Sequence, residues 1–239
     1  MNLDTFIYRF RFCEDMSLIN ISAWKNTDIP LGNLYYRLIE NSPVDVFTGI
    51  LTMQSPAERL HLYRLACGLP TGSQIVEIGA YAGGSTYFLG KGAEKIAGKV
   101  ISVDPFSTAL ERQISEADNS RYFRKMPFKP TIHSVRTSLN RAGINGQVKL
   151  VEGFAEDVAR TWSGQPINML WIDGNHNNAR KDYDAWVPHL AQGAVVAFHD
   201  ANFPIKGKEV VTVDVMRLLT QIKYNNLQKV GSIVSFNME

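Results

Sequence analysis

The sequence predicts an α/β fold, a doubly wound and mostly parallel sheet with helices on both faces, and three observations carry that expectation. Short apolar runs recur along the chain, each followed by a stretch of helical periodicity. One run passes into a glycine turn that opens a helix, Ile75-Val76-Glu77-Ile78-Gly79-Ala80-Tyr81-Ala82-Gly83-Gly84-Ser85-Thr86. The next ends in a carboxylate, Val100-Ile101-Ser102-Val103-Asp104, at the separation of about twenty residues usual in nucleotide-binding α/β units.

Taken in order, residues 1–54 are aromatic and mixed, punctuated by Pro30, Gly32, Pro43 and Gly49, and read as an N-terminal cap of short helices and loops. Residues 55–239 read as the main domain. Ser55-Pro56-Ala57-Glu58 opens its first helix, with Ser55 as N-cap and Pro56 at the first helical position, and Gly68 ends it. Strands follow at 74–79 and 99–104, with a helix between them from Ser85 to about Ala97, Ser85 being read as its cap. Further strand-like runs stand at Val148–Val151, Ile167–Ile172 and Ala194–Phe198, separated by helical patterns at 155–162 and 178–190. Strands alternating with helices of this length imply a parallel sheet whose ligands bind at the strands' carboxyl ends. The insert at about 105–146 is long for a connection, is expected to be helical from Pro130 to about Ala142, and reads as a substrate lid.

Composition bounds the function. The chain has 239 residues, 45% of them hydrophobic and 20% charged, with a net charge of +2, which suits one globular α/β domain and points to neither nucleic acid nor a membrane surface. No apolar run reaches the roughly 18 residues of a membrane span. The start, Met1-Asn2-Leu3-Asp4, has no basic region and apolar core of a secretory signal, so a cytoplasmic location is expected. Cys13 and Cys67 are too few for a disulfide framework or a zinc cluster and read as ordinary thiols.

The glycine loop favours a particular ligand class. Gly79 lets the chain leave the strand, and Gly83 and Gly84 let backbone approach a ligand. The spacing from Gly79 to Gly83 is G-x-x-x-G, not the G-x-G-x-x-G of a dinucleotide site. Glu77, two residues before the first glycine, disfavours phosphate and favours a cation. Asp104 is placed to accept hydrogen bonds from ribose hydroxyls. Phe106 lies where it either covers an adenine or joins the core. Gly153 and Phe154, after the third strand, either border an adenine or simply start a helix whose acids, Glu156 and Asp157, suit its dipole. After the fourth strand stand Asp173, Gly174 and His176, and after the fifth His199, Asp200 and Asn202. Asp173 and Asp200 on neighbouring strand ends are close enough to share a hard divalent cation such as Mg²⁺.

The segment E-I-G-A-Y-x-G-x-S-T, from Glu77 to Thr86, resembles the cofactor loop of class I S-adenosylmethionine-dependent methyltransferases, in the form seen in the catechol and caffeoyl-CoA O-methyltransferase branch. The pair I-D-G-x-H and F-H-D resembles the metal-dependent sugar O-methyltransferases of the macrocin and mycinamicin type. It is similar, more distantly, to the catechol type and the cephalosporin hydroxylase-like group. The resemblance covers roughly residues 55–236. It implies a Rossmann-like methyltransferase fold, seven strands in all, with Val230–Phe236 in a C-terminal antiparallel hairpin. It further implies that Glu77, Gly79, Tyr81, Gly83, Ser85, Asp104, Phe106, Gly153, Phe154 and Asp173 line the S-adenosylmethionine site. Asp173 and Asp200 would be metal ligands, Asp173 would count among the catalytic groups, and His176 would be the general base. The catechol-like pattern has a side-chain oxygen directly after the second Asp; here Ala201 stands there, and the third ligand would be Asn202 one place later, or else Asn175, Asn177, His199 or water. The implied reaction is methyl transfer to a hydroxyl of a small molecule, such as a sugar or natural-product glycoside.

Between Asn119 and Gly146 the insert carries Arg121, Arg124, Lys125, Lys129, Arg136 and Arg141 and no acid. This stretch either draws an anionic acceptor over the cleft or is a solvated face or subunit contact, with cap and lid as the surfaces of a homodimer. Two other classes remain at this point: a nicotinamide-dependent oxidoreductase on a similar sheet, and a binding protein that keeps the fold without turnover. No G-x-S-x-G elbow of a hydrolase occurs.

Overall fold

The computed structural model describes residues 50–106, 130–144, 146–175, 178–201 and 209–239. The elements in chain order are α1 (Pro56–Cys67), β1 (Gln74–Ile78), α2 (Gly84–Lys95), β2 (Lys99–Asp104), α3 (Ile132–Arg141), β3 (Val148–Glu152), α4 (Ala155–Arg160) and β4 (Ile167–Ile172). They continue with α5 (Ala179–Trp186), a 3₁₀ turn (Val187–His189), β5 (Leu190–Phe198), α6 (Glu209–Leu219), β6 (Tyr224–Val230) and β7 (Ile233–Met238).

The strands form one seven-stranded sheet in the order β3-β2-β1-β4-β5-β7-β6. All neighbours run parallel except β7, which is antiparallel to β5 and to β6. This is the expected doubly wound sheet with a C-terminal hairpin. The strand order reverses between β1 and β4, which makes their carboxyl ends the switch point where such sheets open a crevice.

Sequence explains each element locally. β1 and β4 are continuous apolar runs because helices cover both their faces; Ile75, Val76, Ile167, Met169, Leu170 and Trp171 are fully buried. One apolar layer, on Trp186, Tyr183, Phe198 and Phe236, lies on one face of the sheet. A second, on Leu62, Leu89, Met169, Trp171 and Ile233, lies on the other. A third, smaller cluster joins Ile50, Ala80, Phe106, Val135, Leu139, Ile144 and Leu150.

α1 starts as expected at Ser55 with Pro56 at its head, and a capping box links Ser55 and Glu58. Glu58 also reaches out of its helix: its Oε1 accepts bonds from the Ser232 N–H and hydroxyl, each at 2.7 Å, at the β6–β7 turn. His61, one turn on, meets the Ser235 hydroxyl at 3.1 Å. These contacts fasten α1 to the hairpin.

Two boundaries differ from expectation. The helix anticipated over 178–190 stops at Trp186, because Pro188 lacks the N–H that a continuing helix needs, and β5 already begins at Leu190. Ser85 does not cap α2. Gly83 takes that place with a left-handed φ of 92°, and the Ser85 side chain is used elsewhere. Of the expected 1–54 cap, residues 1–49 lie outside the described residues, whereas 50–54 pack on the domain. Of the basic insert residues, Arg121, Arg124, Lys125 and Lys129 lie outside them, and Arg136 and Arg141 are exposed on α3. Among the described residues no helix is long and apolar enough to cross a membrane.

α1 and α2 pack closely at Gly92, where an added Cβ would lie 2.4 Å from the Ala66 Cβ and 2.8 Å from the Tyr63 carbonyl oxygen. An alanine gains about 0.5–1 kcal/mol of helix propensity over glycine, but forcing these helices apart costs about 1–3 kcal/mol. Gly92→Ala is therefore expected to lower the urea midpoint. An unchanged or raised midpoint would contradict the packing.

Candidate active site

The site is built on the loop after β1. Glu77 is the fourth residue of that strand, and its side chain is fully buried. Its carboxylate accepts hydrogen bonds from the Ser85 hydroxyl, from Thr86 Oγ1 at 2.6 Å and from the Ser102 hydroxyl. Ser85 and Thr86 belong to α2 and Ser102 to β2, so one carboxylate joins three elements. Burial is the largest influence on its pKa, which is pushed up to about 7 with a further contribution from Asp173, against the opposing hydroxyl bonds. Glu77 and Ser85, both expected in the cofactor site, are bonded to each other behind the loop.

The second anchor is Asp104. Its Oδ2 accepts the Tyr81 N–H at 2.8 Å and its Oδ1 the Phe106 N–H at 2.6 Å, which staples the glycine loop to the end of β2. Tyr81 and Phe106 have left-handed φ values of 46° and 47°, a strained conformation that these bonds hold in place. Burial, the leading cause, raises the Asp104 pKa against those N–H bonds. A carboxylate offers about four lone-pair sites, so these two bonds do not exhaust Asp104. Of the two places expected for Phe106, the structure shows the core. Its ring is 3% exposed, within the cluster of Ile50, Val135 and Leu139, because the reversed φ turns it inward.

Gly79, at the end of β1, needs its freedom for two reasons. Its φ is 92°, and a Cβ there would lie 2.4 Å from the carbonyl oxygen of Asp173. The loops after β1 and β4 thus stand backbone to backbone. Gly153 donates its N–H to the Asp104 carbonyl at 3.1 Å, and half-buried Phe154 begins α4. Both flank the β2 end, with Glu156 and Asp157 in the first turn of that helix as its dipole favours.

At the ends of β4 and β5 the structure gathers Asp173, His199, Asp200 and Glu58. His199 is 6% exposed. Its Nδ1 lies 3.0 Å from Asp173 Oδ1 and 3.6 Å from Asp200 Oδ2, and its Nε2 lies 3.8 Å from Glu58 Oε1. Burial works against the imidazolium, but Asp173, Asp200 and Glu58 outweigh it and raise the His199 pKa well above its ordinary value. Burial likewise opposes the Glu58 anion, yet His199 and the Ser232 bonds bring its pKa down to about 2. Asp200 has a left-handed φ of 54°.

Gln54 completes the corner. Its Nε2 donates to Asp173 Oδ2 at 2.8 Å, its Oε1 accepts from the Thr52 hydroxyl at 2.6 Å, and its carbonyl accepts from buried Arg59 at 2.8 Å. Thr52 in turn packs on Gly84, where a Cβ would lie 2.6 Å from the Thr52 Cβ. Gln54, Thr52 and Glu58 were missed in the sequence. The Gln54–Asp173 contact spans 119 positions, and no local pattern signals it.

The Mg²⁺ that the resemblance implies does not fit the donors described. Asp173 uses one oxygen on His199 and the other on Gln54, and His199 stands between it and Asp200. Among the described residues no group of three or more His, Cys, Asp and Glu side chains is arranged to hold a metal. His176 and Asn202 lie outside the described residues.

This combination, a switch-point glycine loop backed by a buried acid and stapled by a second acid at the end of β2, defines a Rossmann-like protein of the class I S-adenosylmethionine-dependent methyltransferase fold. Residues 76–201, more than half of the chain, match the family described as "Methyltransferase domain", and the chain belongs to that family. Over 133 residues it is 30% identical to a catechol O-methyltransferase of Mycobacterium tuberculosis, a match covering 55% of this chain. The chain spans about half, 50%, of that relative's length. The fold matches the SAH-bound methyltransferase of Podospora anserina with a TM-score of 0.59 at 14% identity, over 100% of this chain and 97% of the other. It matches an O-methyltransferase from Bacillus cereus in complex with SAH with a TM-score of 0.58 at 15% identity, over 92% and 100%.

Because the Glu77 pKa is about 7 in the fold and near 4.5 in the unfolded chain, its contribution to stability is fully present below about pH 4.5 and is lost as pH rises through about 7. Glu77→Gln has no such titration. Urea unfolding at pH 5 and pH 8 is expected to show a larger advantage of the parent over Glu77→Gln at the lower pH; an equal or reversed difference would show that Glu77 is not held as described.

Proposed function

We propose that this chain transfers a methyl group from S-adenosylmethionine to a hydroxyl oxygen of a small molecule. The observation that carries the reading is the pinned loop, Glu77 behind it and Asp104 beside it, facing the strand end of Asp173 across the switch point. The family match and the relatives named O-methyltransferases support the same reaction. A nicotinamide enzyme fits less well, since G-x-x-x-G lacks the third close glycine of a pyrophosphate loop.

The donor, when bound, supplies an electrophilic methyl on a sulfonium. The chain's own work is placement. Asp104 would accept from ribose hydroxyls and the loop from Gly79 to Gly83 would hold the donor, with Asp173, held by Gln54 and His199, at the acceptor end. The acceptor oxygen forms the new C–O bond as the C–S bond breaks, and its proton leaves to a base. His176 takes that part on the sequence resemblance alone, as does the choice of a sugar or natural-product glycoside as acceptor. In-line displacement gains most from alignment, for which effective molarities can be large.

Calorimetry with S-adenosylmethionine, S-adenosylhomocysteine and NADH tests the proposal. Saturable binding of the first two and none of NADH is expected, and Asp104→Ala is expected to weaken S-adenosylhomocysteine by about tenfold or more, the worth of one good hydrogen bond to a charged group. NADH binding without binding of either methyl-donor ligand would replace this reading with the oxidoreductase one.

A further inference from the structure

We propose that Asp182 is a specificity-determining residue of the donor site, its carboxylate accepting a hydrogen bond from the exocyclic amine of the adenine. The inference rests on the methyl-transfer reading and extends it to a residue that no motif marks.

The sequence puts Asp182 where an apolar side chain belongs. Ala179, Asp182, Tyr183 and Trp186 are the buried residues of α5, spaced as one helical face, and the other three join the apolar layer on that side of the sheet. Asp182 is as enclosed as they are, with 6% exposure. Among the described residues its carboxylate nevertheless has no hydrogen-bond donor and no salt bridge, and its sequence neighbour Lys181 is exposed. Buried polar groups are as a rule bonded, so an unpartnered acid in a helix's inner face calls for an explanation.

Its surroundings point to a ligand. A Cβ on Gly174, the residue after Asp173, would lie 3.6 Å from Asp182 Oδ2 and 3.3 Å from Ile78 Cγ2. The carboxylate therefore reaches the loop at the end of β4, and the glycine leaves it uncovered there. On α4, Glu156 of the first turn is close enough to act on its charge. Three residues before Glu156, Gly153 donates to the Asp104 carbonyl at the end of β2. Asp182 thus belongs to the wall of the crevice on the α4–α5 side, opposite the glycine loop that leads into α2, and this wall runs up to the acid proposed to hold the ribose. A flat and largely apolar base suits a wall with Ile78 and half-buried Phe154, and its amine brings the N–H that Asp182 lacks. Burial, and after it Glu156, pushes the Asp182 pKa up to about 7, and an N–H donated to the carboxylate would bring it back down.

Equilibrium competition on the full chain tests the proposal, with S-adenosylhomocysteine and S-inosylhomocysteine as the probes. The second places a carbonyl oxygen where the first has its amine, and so turns a lone pair toward Asp182. The parent is expected to prefer S-adenosylhomocysteine by at least about tenfold. Asp182→Asn keeps the shape, removes the buried charge and brings an N–H that suits the carbonyl, so the preference is expected to fall to about twofold or less, or to reverse. Equal affinity of the parent for the two probes would overturn the proposal, as would a preference that Asp182→Asn leaves intact; in both cases the methyl-donor reading stands. Binding of neither probe would remove that reading and this one together. Should Asp182→Asn fail to fold, Asp182→Ser is measured in its place, with the same loss of preference expected.

Discussion

The bonds that the buried Glu77 carboxylate accepts from Ser85, Thr86 and Ser102 are the constraint on which the rest of the site depends. Removing a carboxylate from water costs several kcal/mol, and hydrogen bonds to a charged group return about 1.5–3 kcal/mol each. Three of them offset that cost only in part, as the pKa raised to about 7 shows, so Glu77 contributes position more than stability. It draws the first turn of α2 down onto β1 and β2. Because Ser85 and Thr86 are committed to that task, neither caps the helix, and the cap falls to Gly83, which must adopt a left-handed backbone. The shape of the glycine loop is thus a consequence of the acid behind it.

The same loop is bound to the far side of the cleft. The strand order puts β1 beside β4, and the absent Cβ of Gly79 lets the two loops touch through their backbones at Asp173. Gln54 then ties Asp173 to the segment before α1, and Glu58 ties α1 to the hairpin turn at Ser232. Few of these links are strong alone. Joined in one network they leave the glycine loop, the acidic strand ends and the start of α1 no independent freedom, the preorganisation that the proposed reaction would need.

Local signals in the sequence were legible and long-range ones were not. β1, β2, β4 and the start of α1 are evident because apolar runs and a Ser-Pro-x-Glu cap act over a few residues. Ser85 looked like a cap because serine before a helix usually is one; its diversion to Glu77 depends on a tertiary contact eight residues away. Phe106 after the acid of β2 leaves a ligand platform and the core equally open in the sequence, and the ring lies in the core where its N–H bonds Asp104 and its φ is left-handed. Asp173 and Asp200 were recognised as neighbours, but the spacing of acids says nothing about what sits between them. That His199 does so, with Glu58 behind it, required the sheet to bring residues from α1, β4 and β5 to one point.

Charge balance at this point bears on the chemistry proposed. Methyl transfer starts from a concentrated sulfonium cation and spreads that charge in the transition state. A pocket of uncompensated carboxylates would therefore stabilise the bound reactant more than the transition state, and interactions of that kind tighten binding without raising the rate. His199, whose pKa is raised against burial well above its ordinary value by Asp173, Asp200 and Glu58, offsets part of that field while Asp173 keeps its place at the strand end. The contacts of His199 with Asp173, Asp200 and Glu58 thus bear on the proposed chemistry by offsetting the acids that the sheet gathers at these strand ends.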